Sequence, residues 1–296
     1  MHTVTPCIAA LTEGLIDYAG LFPPAALDMD AAVAAYRAHA ASAEAFMLGR
    51  FVVTAARLGE LAEALSRACN GTPPSQPWKV SAVAGATDAA TIAAFNATHG
   101  GWAVVDTVEA KAATAEAAEQ IIDAFGEGIQ LYVELPVTCD LDAVLPLLKA
   151  RGARAKVRTG GLTPELFPSS EAVAGFMAAC LRHDVPFKAT AGLHHLVRGD
   201  HPMNGRPDGE RALMHGFFNV FVAAALLADG GLEADARELL DETSFDAFGF
   251  DDDTIFWQGH RVYTHSLERA RKACAVSFGS CSFDEPCDEL RENGLL

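Results

Sequence analysis

The sequence is short of positive charge. Lys and Arg number 22 against 39 Asp and Glu, giving a formal net charge of −17, and only six of the basic residues are lysine. No basic stripe runs along any segment, which sets aside binders that work through a nucleic-acid backbone. Long hydrophobic runs are missing too. The longest, Gly216 to Ala228, contains Asn219 and is too short to span a bilayer. The seven cysteines (Cys7, Cys69, Cys139, Cys180, Cys274, Cys281 and Cys287) are scattered, odd in number and form no C-x-x-C. That argues against a disulfide scaffold or a zinc ribbon and suits a reducing cytoplasm. The N-terminus lacks a basic leader and carries Glu13 and Asp17, so no signal peptide is expected. Neither G-x-G-x-x-G nor G-x-x-x-x-G-K-[ST] occurs, which leaves nucleotide binding without support, and the absence of G-x-S-x-G weighs against an ordinary serine hydrolase. The expected setting is cytoplasmic, with a small-molecule substrate, no nucleic-acid partner and no membrane; a homo-oligomer stays open.

What is present is an alternating pattern. Half of the 296 residues are hydrophobic, enough for a large core. A first apolar strand around Ile16 breaks at Pro23-Pro24, and Asp28 is placed to cap a helix running through Ala43. Strands are expected at 46–53, 79–84, 102–108 and 129–135, the last stopped by Pro136, with helices between them. Two similar strands follow, Ala155-Lys156-Val157-Arg158-Thr159-Gly160-Gly161 and Phe187-Lys188-Ala189-Thr190-Ala191-Gly192-Leu193-His194-His195, joined by a helix over 169–184. A long apolar helix is expected over 210–228, an eighth strand within 245–257, a closing helix over 266–275 and a turn-rich tail after it. Strands of this length alternating with helices imply right-handed βαβ units. Seven or eight of them close most economically into a (β/α)8 TIM-type barrel, an α/β fold. The expected organisation is one domain over 1–296, with a tail from about 276 packed on it; the runner-up is an open doubly wound sheet.

In such a barrel the reactive groups gather at the C-terminal ends of the strands. Asp17, Arg50, Asp106, Glu134, Lys156, Arg158, Lys188 and His194 all fall in or just after expected strands. Lys156 and Lys188 lie inside apolar runs, where an unpaired ammonium is costly. Side by side they would repel, favouring the neutral amine that forms a Schiff base. The plainer reading makes them members of an ion network neutralised by Glu134 and Asp106. Arg158 shares a strand face with Lys156 and is suited to a carboxylate or phosphate, with Thr159-Gly160-Gly161 offering backbone N–H groups beside it, unless that segment is a plain turn. Asp17 and Arg50 join the substrate-binding candidates. His194 and His195 face opposite ways along an extended chain, so at most one points into a pocket. With no H-x-H or H-E-x-x-H, the expected metal content is none; the alternative is a divalent ion at His194/His195, or at His215, with Glu134. Cys281 has small neighbours, but no histidine near it in sequence supports a Cys/His pair.

The order Leu131-Tyr132-Val133-Glu134, then Lys156-Val157-Arg158-Thr159-Gly160, then Phe187-Lys188-Ala189-Thr190-Ala191-Gly192 resembles the last barrel strands of the deoxyribose-phosphate aldolase family. The resemblance covers roughly the segment 131–192. It implies Lys156 as the Schiff-base lysine, Lys188 as the second amine beside it and Asp106 as an acidic proton relay. Arg158 stands where that family has a small residue, and its glycine-rich phosphate-binding segment has no counterpart here. The segments 16–25, 187–195 and 278–286 together also resemble an uncharacterised bacterial protein family, which implies no activity. The leading expectation is a class I aldolase- or lyase-like enzyme that forms an imine at Lys156 with a small carbonyl- or carboxylate-bearing substrate and needs no cofactor. The alternatives are a metal-dependent barrel enzyme using the His194/His195 cluster and a non-catalytic ligand-binding barrel.

Overall fold

The computed structural model describes residues 4–296. Seven parallel strands come first: β1 (Ile16–Tyr18), β2 (Leu48–Thr54), β3 (Trp78–Val83), β4 (Ala103–Lys111), β5 (Gln130–Glu134), β6 (Arg154–Arg158) and β7 (Phe187–Thr190). Five short strands outside the barrel follow: β8 (Gly199–Pro202), β9 (Arg211–Met214), β10 (Phe248–Asp251), β11 (Thr254–Trp257) and β12 (His260–Tyr263). The last strand, β13 (Ala275–Ser280), lies between β7 and β1 and closes an eight-stranded parallel barrel. Helices alternate with the barrel strands, so the fold is the (β/α)8 TIM type. No helix among the described residues is long and apolar enough to cross a membrane.

Local chemistry sets these elements. Asp28 accepts the Ala31 N–H at 2.8 Å and starts the helix Met29–Ala40, as its sequence context predicts. Thr114, Asp140 and Ser169 cap the helices Ala115–Ala124, Leu141–Ala150 and Ser170–Arg182 in the same way. Side chains alternate along each strand. On β6, Ala155 and Val157 pack outward against the helices and are sealed, which turns Arg154, Lys156 and Arg158 toward the barrel axis. The register sets Glu134 beside Lys156, and Lys156 beside Lys188. The interior of this barrel is therefore ionic where most are filled by branched aliphatic side chains.

Three expectations need correction. The eighth barrel strand is not within 245–257. That stretch forms the antiparallel meander β10-β11-β12. Asp252-Asp253 turn between its first two strands, and Gln258-Gly259, with φ of 44° and 85°, turn between the next two. Turn residues with positive φ favour such tight hairpins. The closing strand instead lies in the expected tail, and the helix Asp284–Glu292 follows it. Finally, the apolar helix begins at Phe217 rather than near 210, because Arg211–Met214 pair with Gly199–Pro202 in a hairpin. This helix is buried along most of its length, with Phe217 stacked on Phe278 of β13 at 5.7 Å.

Candidate active site at the barrel mouth

The ionic interior is organised around Glu109, near the C-terminal end of β4. Its carboxylate holds both lysines: Oε1 lies 2.6 Å from Lys188 Nζ, and Oε2 lies 2.8 Å from Lys156 Nζ. Ser81 on β3 donates its hydroxyl to Oε1 at 2.6 Å. Each lysine has one further acid. Lys188 reaches Asp17 Oδ2 at 2.6 Å, and Lys156 reaches Glu134 Oε2 at 2.7 Å. Asp17 also accepts from Ser277 Oγ at 3.0 Å and from the Arg50 N–H at 2.8 Å. A Cβ at position 49 would lie 2.4 Å from Asp17 Oδ1, so this carboxylate occupies the space that Gly49 leaves free. No buried side-chain polar atom among the described residues lacks a partner.

The amines are therefore not adjacent bare charges, as the sequence suggests. A carboxylate bridges them, and its field reverses the expected effect on Lys188. Burial disfavours the Lys188 ammonium, but Asp17 and Glu109 outweigh it and push the pKa up. Burial likewise opposes ionisation of Glu109, and the two lysines overcome it and hold its pKa far below the usual carboxylate range. For Glu134, burial is outweighed by Lys156, Arg158 and Lys111, so its pKa is also lowered.

Above this floor a cavity of about 530 Å³ opens at the C-terminal ends of the strands. Glu109, Glu134, Lys156, Arg158 and Lys111 line its ionic side. Phe22, Pro23, Leu162, Phe167, Met203 and Met214 supply much of the apolar wall. Met203 and Met214 come from the β8-β9 hairpin and its loop, so the insertion after β7 roofs the mouth. A second hollow of about 460 Å³ shares Lys111, Glu134 and Arg158, and a third of about 480 Å³ shares His194 and Cys281.

The structure brings Lys156, Glu134, Arg158, Gly161 and His194 together at this cavity. Arg158 Nε sits 3.2 Å from Glu134 Oε1 with its side chain a third exposed, so it can turn to an incoming anion. Lys188 is sealed beneath, at 0% exposure. Arg50 and Asp106 pair with each other at 2.6 and 3.0 Å and do not line the cavity, lying two and three residues before Val52 and Glu109 on the same strands. Thr159 is buried, its hydroxyl donating to the Ala191 carbonyl at 2.6 Å. A Cβ on Gly160 would meet the Gly192 Cα at 2.7 Å, so here glycine allows the β6 and β7 turns to touch. Ala191, at φ 64°, holds a left-handed conformation on the cavity wall. Such a residue costs about 1–3 kcal/mol and persists only where its surroundings fix it.

The histidines divide. His194 Nδ1 lies 2.8 Å from Glu285 Oε2, and His195 Nδ1 lies 2.6 Å from Glu289 Oε1, both acids on the C-terminal helix. His195 also stacks on His201 at 3.4 Å. His215 is buried between Arg198 and the Pro168 carbonyl, and burial lowers its pKa to about 4. Among the described residues, no three His, Cys, Asp or Glu side chains converge as metal ligands would. Glu109, Ser81 and Lys111 are the site residues that sequence reasoning missed. Glu109 carried the same signal as the lysines, a charge inside an apolar strand, but the expected strand stopped at Val108. No family model, curated protein or solved structure matches the chain.

Proposed function

We propose that this barrel is a class I aldolase- or lyase-type enzyme, forming an imine between Lys156 and a small carbonyl compound that carries a carboxylate. One observation carries the reading: of the two core lysines, only Lys156 lines the open cavity, and acid oxygens stand 2.7 and 2.8 Å from its amine. A purely structural ion network has no need of an open cavity over one of its members.

The roles follow from position. The substrate carboxylate engages Arg158, with Lys111 nearby on the same wall. Engaging Arg158 draws it off Glu134, which then becomes a stronger base and takes the ammonium proton of Lys156. The free amine attacks the carbonyl carbon. The carbonyl oxygen is protonated in turn and leaves as water, and the protonated imine draws electrons from the bond to be cleaved. Glu109 stays ionised and keeps a negative charge beside the cationic imine. Lys188 acts at one remove, holding Glu109 in place with Asp17.

Reductive trapping tests this reading. Incubation with short 2-oxo acids or aldehydes and sodium borohydride is expected to leave one stable adduct, mapped by peptide mass to Lys156. No lysine adduct across the panel, or an adduct that survives Lys156→Ala, would sink the proposal.

A further inference from the structure

On the same cavity as Lys156, two strands along the barrel, stands a group that the imine chemistry does not use. Cys281 directly follows the end of β13, so it sits at the same strand-end rim where barrel enzymes place reactive side chains. Its Sγ lies 3.9 Å from His194 Nε2. The other nitrogen of that ring, Nδ1, lies 2.8 Å from Glu285 Oε2 in the first turn of the helix Asp284–Glu292. Thiol, imidazole and carboxylate thus form one chain in the order that activates a cysteine: nucleophile, base, and a group that orients the base. A distance of 3.9 Å is looser than a tight hydrogen bond, as is common before a substrate is bound.

The other cysteines sharpen the contrast. Cys7, Cys180, Cys274 and Cys287 are buried, and burial raises all four thiols, the last two to about 12. Cys281 lines both the main cavity and the hollow beside it. Burial alone would lower the His194 pKa, but its bonds to Cys281 and Glu285 outweigh that and raise it to about 10, which makes the ring a strong acceptor for a proton. The other charged or titratable groups lining these two hollows are Asp284 on the Glu285 helix, Tyr18, His39 and His195 around the smaller one, and Lys111, Glu109, Glu134, Lys156 and Arg158 in the main cavity.

We infer that Cys281, His194 and Glu285 form a second reactive centre, a thiol nucleophile for acyl transfer from a short ester or thioester whose acyl part bears a carboxylate. The acyl chain lies in the main cavity, its carboxylate toward Arg158, and the leaving group extends into the hollow beyond Cys281. The thiol proton passes to His194 Nε2. The sulfur bonds to the acyl carbon, and the carbonyl electron pair moves onto oxygen. The pair returns as the bond to the leaving oxygen or sulfur breaks, and His194 gives that atom its proton. Water then attacks the thioester, losing its proton to His194, and the carbon–sulfur bond breaks as His194 returns that proton to the Cys281 sulfur. Ester or thioester and water become acid and alcohol or thiol, with no other reactant. Glu285 is a positioning residue; it fixes the ring and touches no reacting atom.

The probes are 4-nitrophenyl acetate and the mono-4-nitrophenyl ester of adipic acid, used with the 296-residue chain. The expected result is a burst of nitrophenolate approaching one equivalent, faster for the adipate ester, with the acyl mass mapped to Cys281. Cys281→Ser removes the burst, and His194→Gln lowers its rate by about 100-fold, the lower range for a lost general base. Glu285→Gln, at a half-exposed helical position, guards against loss of fold. It is expected to slow the burst less and to shift iodoacetamide labelling of Cys281 to higher pH, which a purely structural role would not do. Acylation of the partly exposed Cys69 and Cys139 as fast as Cys281, a burst unchanged in His194→Gln, or equal rates for the two esters would overturn the inference. Borohydride plays no part in these readouts, so their failure is distinct from failure of the Lys156 reading.

Discussion

Lys156 and Lys188 occupy paired positions on neighbouring strands, share one bridging carboxylate and end in opposite situations. Lys188 is closed in by Asp17 and Glu109 beneath the cavity, and the face of the Tyr132 ring lies 5.6 Å from its amine. Lys156 exchanges Asp17 for Glu134, and Glu134 is itself shared with the part-exposed Arg158 and the exposed Lys111. One carboxylate with solvent-exposed partners makes the difference. A lysine whose acids have no other engagement open to solvent is fixed, whereas one whose acid can be drawn on by a ligand's charge is adjustable. Placement inside an apolar strand, which both lysines have, does not separate these roles.

The comparison breaks most visibly at Lys188. Lys188→Met leaves Asp17 and Glu109 buried without their shared cation, and breaking a buried pair in this way costs about 3–5 kcal/mol. Urea denaturation should show a loss of that order. Lys156→Met is expected to cost distinctly less, because Glu134 keeps Arg158 and faces the cavity. Equal losses for the two variants would remove the distinction.

Acid titration sharpens the same point. Glu109 and Glu134 both have folded pKa values below the ordinary carboxylate value. Their contribution is complete above the unfolded pKa of about 4.3 and is lost as pH falls through the folded values. Stability should therefore hold from neutral pH to about 5 and then decline, with the steepest fall below the unfolded value. Glu134→Gln should flatten part of that decline. If denaturation midpoints at pH 7 and pH 3 differed as much in Glu134→Gln as in the unaltered chain, its carboxyl would not be among the groups responsible.

Much of the barrel was legible because its signals are local. Apolar runs broken by Pro136 or by Pro23-Pro24, and helices opened by Asp28 or Ser169, need no tertiary information. The closing strand was hidden by the barrel's own interior. On β13, Ser277 and Gly279 alternate with Phe278 because Ser277 turns inward to Asp17, so the run reads as a turn. The meander over 248–263 meanwhile carries aromatic and β-branched residues that read as a strand. The lysines were visible as charges in apolar surroundings, but the bridge between them depends on strand register, which spacing does not reveal. The thiol centre was least visible of all: Cys281 and His194 stand 87 positions apart and meet only because β13 and β7 are neighbours.

The smallest expected effect concerns Asp106, which the aldolase resemblance marks as a proton relay. In the structure Arg50 grips its carboxylate through two hydrogen bonds, and Thr107 Oγ1 donates a third at 3.0 Å. With both partners about 30% exposed, the ion pair is expected to contribute about 1 kcal/mol or less. Asp106→Asn keeps the shape and an acceptor oxygen. It should therefore change the rate of borohydride trapping at Lys156 by less than about twofold and leave the urea midpoint nearly unchanged. An acid that relays protons in the rate-determining step would instead slow trapping by about 100-fold or more when made an amide. A fall of that size would move the proton chemistry from Glu134 down to Asp106, and the division between an adjustable mouth and a fixed interior would have to be redrawn one layer deeper.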